Sequence, residues 1–276
     1  DGLAAGKGVL IADNIEQAEK ALVDMLIDAK FGAASEVVVI EEFLEGTECS
    51  VFAITDGRDY RILPVAKDYK RSGEGDTGLN TGGMGCVSPV PFADETFMQK
   101  VENNIIKPTI EGIQKEGLKY NGFLFFGLMN VKGEPYVVEY NVRLGDPEAQ
   151  VVLPRFKSDF LNLCTHAAKN QLAVTSVEIE NEHALSVIAA SGGYPEKYEK
   201  QKQISGLELD VEAMIFHAGT AKDNKNRTVT SGGRVLAITA MAETLKLARD
   251  KAYHTLNNIH FDKMYYRKDI GKDLME

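Results

Sequence analysis

The sequence predicts an α+β protein, in which runs of helix and runs of strand follow one another along the chain. A helical pattern over residues 12–32 precedes β-branched stretches that continue to residue 66. A second helical pattern near residues 94–116 precedes two further strands, and strands dominate from residue 183 until a last helix at about 243–259. Segregated runs of this kind are typical of the α+β class.

Composition excludes several classes of protein. The chain has 276 residues, 44% of them hydrophobic, and a formal net charge of −10. Nucleic-acid binding needs a basic surface, whereas this chain is acidic, so we expect no nucleic-acid partner. A membrane span needs roughly 20 apolar residues in a row, and no run approaches that length, so we expect no membrane partner. The three cysteines lack metal-ligand spacing, which is typical of a reducing compartment. We therefore expect a cytoplasmic protein. We also expect a monomer or a weak dimer.

The opening stretch, DGLAAGKGV, is rich in glycine and carries one lysine. It differs from the phosphate-loop consensus, because only three residues separate Gly2 from Gly6 and Gly8 stands where a hydroxyl is needed. Gly6 and Gly8 still allow backbone N–H groups to approach a phosphate, and Lys7 adds an ammonium group. These residues alone leave two interpretations open: a phosphate-binding loop, or a plain turn with a solvated lysine.

Local signals define the next elements. We predict a helix over residues 12–32, because Asp13 and Glu16 form a capping box and apolar residues recur at helical spacing. The β-branched run at 36–46 predicts a strand, and residues 49–66 predict two strands joined by a turn.

The segment at residues 68–91 has no periodic pattern and is predicted to be one long loop. Loops longer than about 12–15 residues inside compact domains are usually functional or disordered, and this segment lacks the repetition of a linker. In its NTGGMG stretch, polar side chains and glycine backbone could both contact a ligand. The candidate residues are Asn80, Thr81, Gly82, Gly83, Met84 and Gly85.

The strand predicted before residue 143 alternates polar and apolar residues. Glu139, Asn141 and Arg143 share one face, which either is an ordinary polar surface or lines a site. Glu139 and Asn141 offer oxygen ligands suited to Mg²⁺, and Arg143 is suited to a phosphate or carboxylate. The other face is expected to belong to a core and carries Val138, Tyr140 and Val142.

Further polar residues follow that strand directly. The turn RLGDPEAQ adds Asp146 and Glu148, and this density of polar groups favours a site over a plain surface. Asp146 is a candidate to orient or deprotonate an attacking amine, with a structural role in the turn as the alternative. We place a domain boundary near residues 175–183, where the composition shifts to strands.

Several motifs together resemble one family. DGLAAGKGV, EEFLEGTE, GDTGLNTGGMG, GFLFFGLM and VVEYNVRLGDPE occur in the order found in the glycinamide ribonucleotide synthetases, the phosphoribosylamine–glycine ligases of the ATP-grasp superfamily. The C-terminal stretches HAGT, SGGRVLAIT and YRKDIG continue the resemblance. It implies a partial lid subdomain at residues 1–41, an ATP-grasp core at 42–180 that holds the metal and substrate site, and a small mixed β/α domain at 181–276.

The resemblance also implies roles for individual residues. Gly6, Lys7 and Gly8 would close over the phosphates of ATP, and Glu48 would bind the ribose hydroxyls. The hinge whose backbone pairs with adenine would consist of Glu42, Phe43 and Leu44. Glu139 and Asn141 would hold Mg²⁺ or Mn²⁺. The residues that would hold the reacting groups and the phosphoribosyl moiety are Arg143, Asp146 and the loop from Asn80 to Gly85.

The implied reaction joins glycine to 5-phosphoribosylamine at the expense of ATP. Two departures from the family pattern stand out. Met129 occupies a position where the superfamily often has a metal-binding acid, and the family's N-terminal α/β domain, with a lysine-bearing strand, is not in this sequence. We therefore expect these 276 residues alone to be inactive. The alternatives are an ATP-grasp ligase for another acid and amine, and a non-catalytic nucleotide-binding or interaction module.

Overall fold

The computed structural model describes residues 9–208 and 212–275. The chain divides into two compact units, residues 1–45 and 46–276. Gly6, Lys7 and Gly8 of the opening loop lie outside the described residues. The helices are α1 Ile15–Leu22, α2 Glu95–Val101, α3 Lys107–Lys115, α4 Ala149–Val152, α5 Phe160–Ala168 and α6 Leu245–Leu256. None of the helices in the described ranges is long and apolar enough to cross a bilayer.

All strands found among the described residues belong to the second unit. They are β1 Thr47–Thr55, β2 Tyr60–Ile62, β3 Lys67–Asp68, β4 Arg71–Gly73, β5 Thr77–Asn80, β6 Gly85–Ser88, β7 Gly122–Val131, β8 Glu134–Asn141, β9 His183–Ser191, β10 Met214–His217, β11 Thr220–Lys222, β12 Thr228–Thr230, β13 Arg234–Ala242 and β14 Met264–Tyr265.

In the first unit, the helix predicted over residues 12–32 is found but is shorter, because α1 begins at Ile15 and ends at Leu22 and a π-helical turn continues it only to Ile27. Oδ1 of Asn14 accepts a hydrogen bond of 2.9 Å from the Gln17 N–H, and the Gln17 side chain accepts one of 3.0 Å from the N–H of Asp13. The predicted capping box of Asp13 and Glu16 is therefore wrong by one residue, because Asn14 has the extended backbone of a cap.

The strand predicted at residues 36–46 is absent, although this segment is fully described. Its β-branched residues Val37, Val39 and Ile40 are exposed. A strand is stabilised by the ladder of hydrogen bonds to a neighbouring strand, and no described residue of the first unit pairs with this segment. High β-propensity alone was an insufficient guide here.

The first sheet of the second unit is antiparallel, with the strand order β2-β1-β7-β8. One of its faces packs on α2 and α3 through residues such as Val51, Phe126 and Ile106. The other face packs on α4 and α5, with Phe52 and Phe125 in the core. The helix predicted at 94–116 is found as α2 and α3 joined by a π-helical turn. A layer of helix thus covers each side of this sheet.

The second sheet has the order β10-β13-β9-β6-β3, and β14 also pairs with β9. Cys86 of β6 pairs with Ser186 of β9, so a strand that follows the NTGGMG stretch lies against strands of the C-terminal region. The segment at 68–91, predicted to be one loop, in fact contains β4, β5 and β6. These strands have only three or four residues each, which is too short to show a period.

The expectation of a core position for Val138, Tyr140 and Val142 is wrong, since their side chains are 45%, 52% and 70% exposed. β8 is the edge strand of its sheet in the part of the chain that the structure describes. A bulge causes Leu128 to pair with Val137, while Gly127 pairs with Glu139. The extra residue therefore brings Val137, and not Val138, toward the helices.

Candidate active site

Three positions form a row across neighbouring strands of the first sheet. Ser50 on β1 pairs with Gly127 on β7, and Gly127 pairs with Glu139 on β8. A Cβ on Gly127 would lie 2.9 Å from Cγ of Glu139, so the glycine leaves room for the glutamate above the sheet. Asn141 lies on the same face and donates from Nδ2 to Oε1 of Glu139 at 3.1 Å. The prediction that Glu139 and Asn141 share a face is confirmed.

This pair fits part of the coordination shell of Mg²⁺. Because Asn141 Nδ2 donates to Oε1 of Glu139, Oδ1 of Asn141 and Oε2 of Glu139 are left as oxygen donors to a cation. Among the described residues, no group of three or more His, Cys, Asp and Glu is placed to hold a metal alone. Mg²⁺ commonly keeps several waters and binds substrate phosphates, so two protein ligands are compatible with its chemistry.

Glu48 and Lys70 form a salt bridge beside this pair. Lys70 Nζ lies 2.5 Å from Oε2 of Glu48, and the side chains are 39% and 43% exposed. Burial alone would lower the pKa of Lys70, but the adjacent carboxylate of Glu48, with Asp68 and Glu139 nearby, raises the pKa overall. All four residues line one narrow cleft. Lys70 therefore balances the charge of Glu48, and Glu139 remains at this cleft as a carboxylate suited to a cation.

Two further carboxyl groups lie at the cleft: the half-buried Asp68 lines it, and the buried Glu148 contacts Ser50, which also lines it. Oε1 of Glu148 accepts a hydrogen bond of 2.9 Å from the Ser50 hydroxyl. Oδ1 of Asp68 is buried and has no hydrogen-bond partner among the described residues. Burial raises the pKa of both carboxyl groups, and the charge of Glu148 raises the pKa of Asp68 further. Sequence reasoning missed Ser50 and Asp68, which no motif marks.

The NTGGMG stretch folds back on the segment before β4. The N–H and the hydroxyl of Thr81 each donate to the Lys70 carbonyl at 2.8 Å, and Oγ1 of Thr81 accepts from the Gly83 N–H at 3.0 Å. Gly83 has φ +111°, and a Cβ there would lie 2.5 Å from Oδ1 of Asp68. The loop backbone thus approaches the buried carboxyl group as only a glycine allows.

The six candidate residues of this stretch have different surroundings. Asn80 and Gly82 are accessible, whereas Met84 is fully buried. Gly85 is buried in β6, where a Cβ would lie 2.7 Å from Cγ1 of Ile270. The accessible part of the loop consists of its first residues.

Asp146 and Arg143 follow β8 and are both exposed. Arg143 donates to the Leu144 carbonyl at 3.0 Å. Oδ1 of Asp146 accepts from Gln150 at 2.9 Å, and Oδ2 accepts from Arg234 Nη2 at 3.1 Å. Arg234 is a residue that the sequence analysis did not single out, although its SGGR motif stands directly before a strongly apolar strand.

The remaining candidates lie in the first unit. Glu42 and Phe43 are exposed and Leu44 is half-buried, in a segment without helix or strand. The second unit brings Glu48 and Glu139 to one cleft, places Asn141 within hydrogen-bond distance of Glu139, and connects Asp146 to the loop at Gly82 through Arg234.

Comparison with known proteins identifies the fold class first. The chain resembles a solved structure titled as a biotin carboxylase–ATP complex from Campylobacter jejuni, with a TM-score of 0.67 and 15% identity over 95% of this chain and 56% of that one. A likeness at this identity shows the fold alone. Residues 1–149 match the family model described as phosphoribosylglycinamide synthetase, ATP-grasp (A) domain. The fold is that of the ATP-grasp proteins, as expected.

The chain belongs to the phosphoribosylglycinamide synthetase family. Residues 184–273 match the C domain of the same family. The chain is 47% identical over 273 residues to a phosphoribosylamine–glycine ligase of Chlorobaculum tepidum. The aligned region covers 98% of this chain and 64% of that protein. A crystal structure of a phosphoribosylamine–glycine ligase from Thermotoga maritima matches 98% of this chain and 67% of its own, with a TM-score of 0.87 and 41% identity. The chain thus spans slightly less than two thirds of the length of its curated bacterial relative.

Proposed function

We propose that the protein containing this chain is an ATP-dependent ligase that joins glycine to 5-phosphoribosylamine. The observation that carries the proposal is the hydrogen-bonded Glu139–Asn141 pair in a chain of this family, because Glu139 lines the same cleft as Glu48. An oxygen-donor pair beside an acidic cleft suits the metal-bound phosphates of ATP.

The reaction has two steps. The glycine carboxylate attacks the γ-phosphate of ATP, which gives glycyl phosphate and ADP. The amine of 5-phosphoribosylamine then attacks the acyl carbon, the C–N bond forms as the C–O bond to phosphate breaks, and the proton lost by nitrogen leaves on the released phosphate. The products are glycinamide ribonucleotide, ADP and phosphate.

Each candidate residue has a part in this scheme. Glu139 and Asn141 would hold Mg²⁺ or Mn²⁺, which neutralises phosphate charge when bound. Glu48 would accept hydrogen bonds from the ribose hydroxyls, and Arg143 would bind the transferred phosphate. Asp146 would orient the amine. Phosphoryl transfer depends mainly on positioning and charge neutralisation, so the scheme requires no covalent nucleophile.

Further proposed ligand contacts follow from the same family relationship. Gly6, Lys7 and Gly8 would cover the phosphates, and the backbone of Glu42, Phe43 and Leu44 would contact adenine. The loop from Asn80 to Gly85 would contact the phosphoribosyl group through its accessible first residues.

The test uses the full-length protein, meaning this chain together with any residues its gene encodes beyond it. Glycine, 5-phosphoribosylamine, ATP and Mg²⁺ are supplied, and glycinamide ribonucleotide and ADP are measured by mass spectrometry. We expect both products in equal amounts and neither when glycine is omitted. ATP binding without turnover would favour a non-catalytic module, and turnover only with another acid or amine would favour a different ligase.

A further inference from the structure

Arg234, the first residue of β13, connects two loops that are distant in sequence. Its Nη1 donates to the Gly82 carbonyl at 2.5 Å and to the Asp146 carbonyl at 2.7 Å, while Nη2 donates to Oδ2 of Asp146 at 3.1 Å. Only 20% of the arginine side chain is exposed. One guanidinium group therefore sets the distance between the NTGGMG stretch and the turn that carries Asp146.

Neighbouring glycines leave space for this contact. A Cβ on Gly82 would lie 2.9 Å from Cζ of Arg234, so the guanidinium packs directly against the loop backbone. The Gly82 N–H donates to the Tyr194 hydroxyl at 3.0 Å, and a Cβ on Gly233 would lie 2.2 Å from Cδ2 of that tyrosine. The C-terminal region thus holds Gly82 from two sides.

We propose that Arg234 is a positioning residue that holds the Asp146 carboxylate against the Gly82 loop, so that Asp146 orients the amine substrate for attack on the acyl carbon of glycyl phosphate. This inference rests on the proposed function. Arg234 acts through Asp146 in the second step, in which the C–N bond forms, the C–O bond to phosphate breaks and the amine proton leaves on the phosphate. It has no part in the first step, in which glycine attacks ATP.

The geometry requires an arginine. Two nitrogens at fixed separation serve two backbone carbonyls and one carboxylate oxygen. The ammonium group of a lysine is a single point charge and cannot reproduce this planar arrangement. A displacement of about 1 Å in a reacting group can lower a rate about 10²-fold.

The test compares Arg234→Met and Arg234→Lys with wild type in the full-length protein. Arg249→Met is the matched control, because Arg249 also donates to two backbone carbonyls, those of Ile270 and Lys268, within the C-terminal region. The first step is followed without amine, as glycine-dependent scrambling of ¹⁸O between bridging and non-bridging positions of ATP. The second step is followed as kcat/KM for 5-phosphoribosylamine.

We expect Arg234→Met to lower kcat/KM for the amine about 10²-fold and to change the scrambling rate less than about threefold. Arg234→Lys should lose nearly as much, with a melting temperature close to wild type, and Arg249→Met should leave both rates unchanged. The double variant Arg234→Met with Asp146→Asn should have a kcat/KM for the amine close to that of either single variant. Both substitutions remove the same interaction, the one between Arg234 and Asp146, so their effects should not add.

If the Arg234→Met variant is impaired, three results would still overturn the inference. They are equal losses in both steps, recovery of the amine rate by Arg234→Lys, and additive losses in the double variant. If wild type itself forms no glycinamide ribonucleotide, the proposed function fails, whereas an active wild type with unimpaired Arg234 variants contradicts only the role of Arg234.

Discussion

Lys70 Nζ lies 2.5 Å from Oε2 of Glu48, at the cleft that also contains Glu139. Glu48 is the residue proposed to bind the ribose of ATP, so the lysine holds a nucleotide-binding side chain in place before the nucleotide arrives. A pair with both side chains about two fifths exposed contributes little to stability, roughly 0–1 kcal/mol. We therefore expect the Lys70–Glu48 salt bridge to affect the affinity for ATP more than the stability of the fold.

The first prediction concerns Glu48→Gln. We expect the Kd for ATP to rise about tenfold, which corresponds to about 1.4 kcal/mol, because hydrogen bonds to a neutral amide are weaker than those to a carboxylate. The melting temperature should barely change. Isothermal titration with a non-hydrolysable ATP analogue measures the effect. Glu134→Gln is the control, since Glu134 forms a bridge of the same 2.5 Å with Lys100. Equal affinities of wild type and Glu48→Gln would remove Glu48 from the nucleotide site.

The second prediction concerns Glu139→Gln. Loss of one charged oxygen ligand should raise the Mg²⁺ concentration needed for half-maximal ATP hydrolysis about tenfold or more. The measurement is a Mg²⁺ titration in the presence of glycine and 5-phosphoribosylamine. Glu134→Gln again serves as control because Glu134 lies on the same strand, β8. An unchanged metal requirement would show that Glu139 is not a ligand.

The third prediction concerns Gly127→Ala. The added Cβ would lie 2.9 Å from Cγ of Glu139 and 3.2 Å from Cε1 of Phe125, so both side chains must move. We expect about 1–3 kcal/mol of destabilisation, as is usual for overpacking, together with a higher Mg²⁺ concentration for half-maximal activity. Urea unfolding and the same Mg²⁺ titration measure the two effects.

Gly112→Ala is the control for that change. Gly112 lies in α3 and a Cβ there would meet nothing within 4 Å, so this alanine should stabilise the protein by roughly 0.4–1 kcal/mol. If both alanine variants were equally stable and bound Mg²⁺ like wild type, Gly127 would not be needed to accommodate Glu139.

The fourth prediction concerns pH and Asp68. Burial first, and then the charge of Glu148, raise the pKa of Asp68 in the folded protein. The folded state therefore binds more protons than the unfolded state between the two pKa values. The stabilising contribution is complete below the unfolded pKa of about 3.9 and is lost as pH rises through the folded pKa.

Asp68→Asn removes this ionisation. Its melting temperature should exceed that of wild type by a margin that grows as pH rises from about 4 to 8. Scanning calorimetry across this range measures the margin. Asp250→Asn is the control, because Asp250 is exposed on α6 and the substitution changes net charge equally. A difference in melting temperature between Asp68→Asn and wild type that does not change with pH would show that the pKa of Asp68 is not raised in the folded protein.

Several features could be predicted because they depend on nearby residues. The two strands predicted after residue 116 form the β7–β8 hairpin, whose turn contains Lys132 and Gly133 with φ values of +53° and +87°. Strand alternation correctly placed Glu139 and Asn141 on one face. The helix near 94–116 and the last helix, found as α6, followed from apolar spacing and capping residues.

Predictions were less reliable for features that depend on pairing with a segment distant in sequence. Residues 36–46 have the composition of a strand but no partner among the described residues of their unit. The burial of Val138, Tyr140 and Val142 depended on whether β8 lies inside the sheet or at its edge, and on a bulge opposite Gly127. Neither can be read from the strand itself.

By itself, the sequence determined the α+β class, the family and the identity of the candidate metal ligands, because these depend on local periodicity and on contiguous motifs. Only the tertiary structure decided how the site is assembled. Ser50 and Glu148 are 98 residues apart, and Arg234 lies 88 residues from Asp146 and 152 from Gly82. Such contacts form when sheet pairing brings distant segments within hydrogen-bond distance, and no local pattern of residues specifies that pairing.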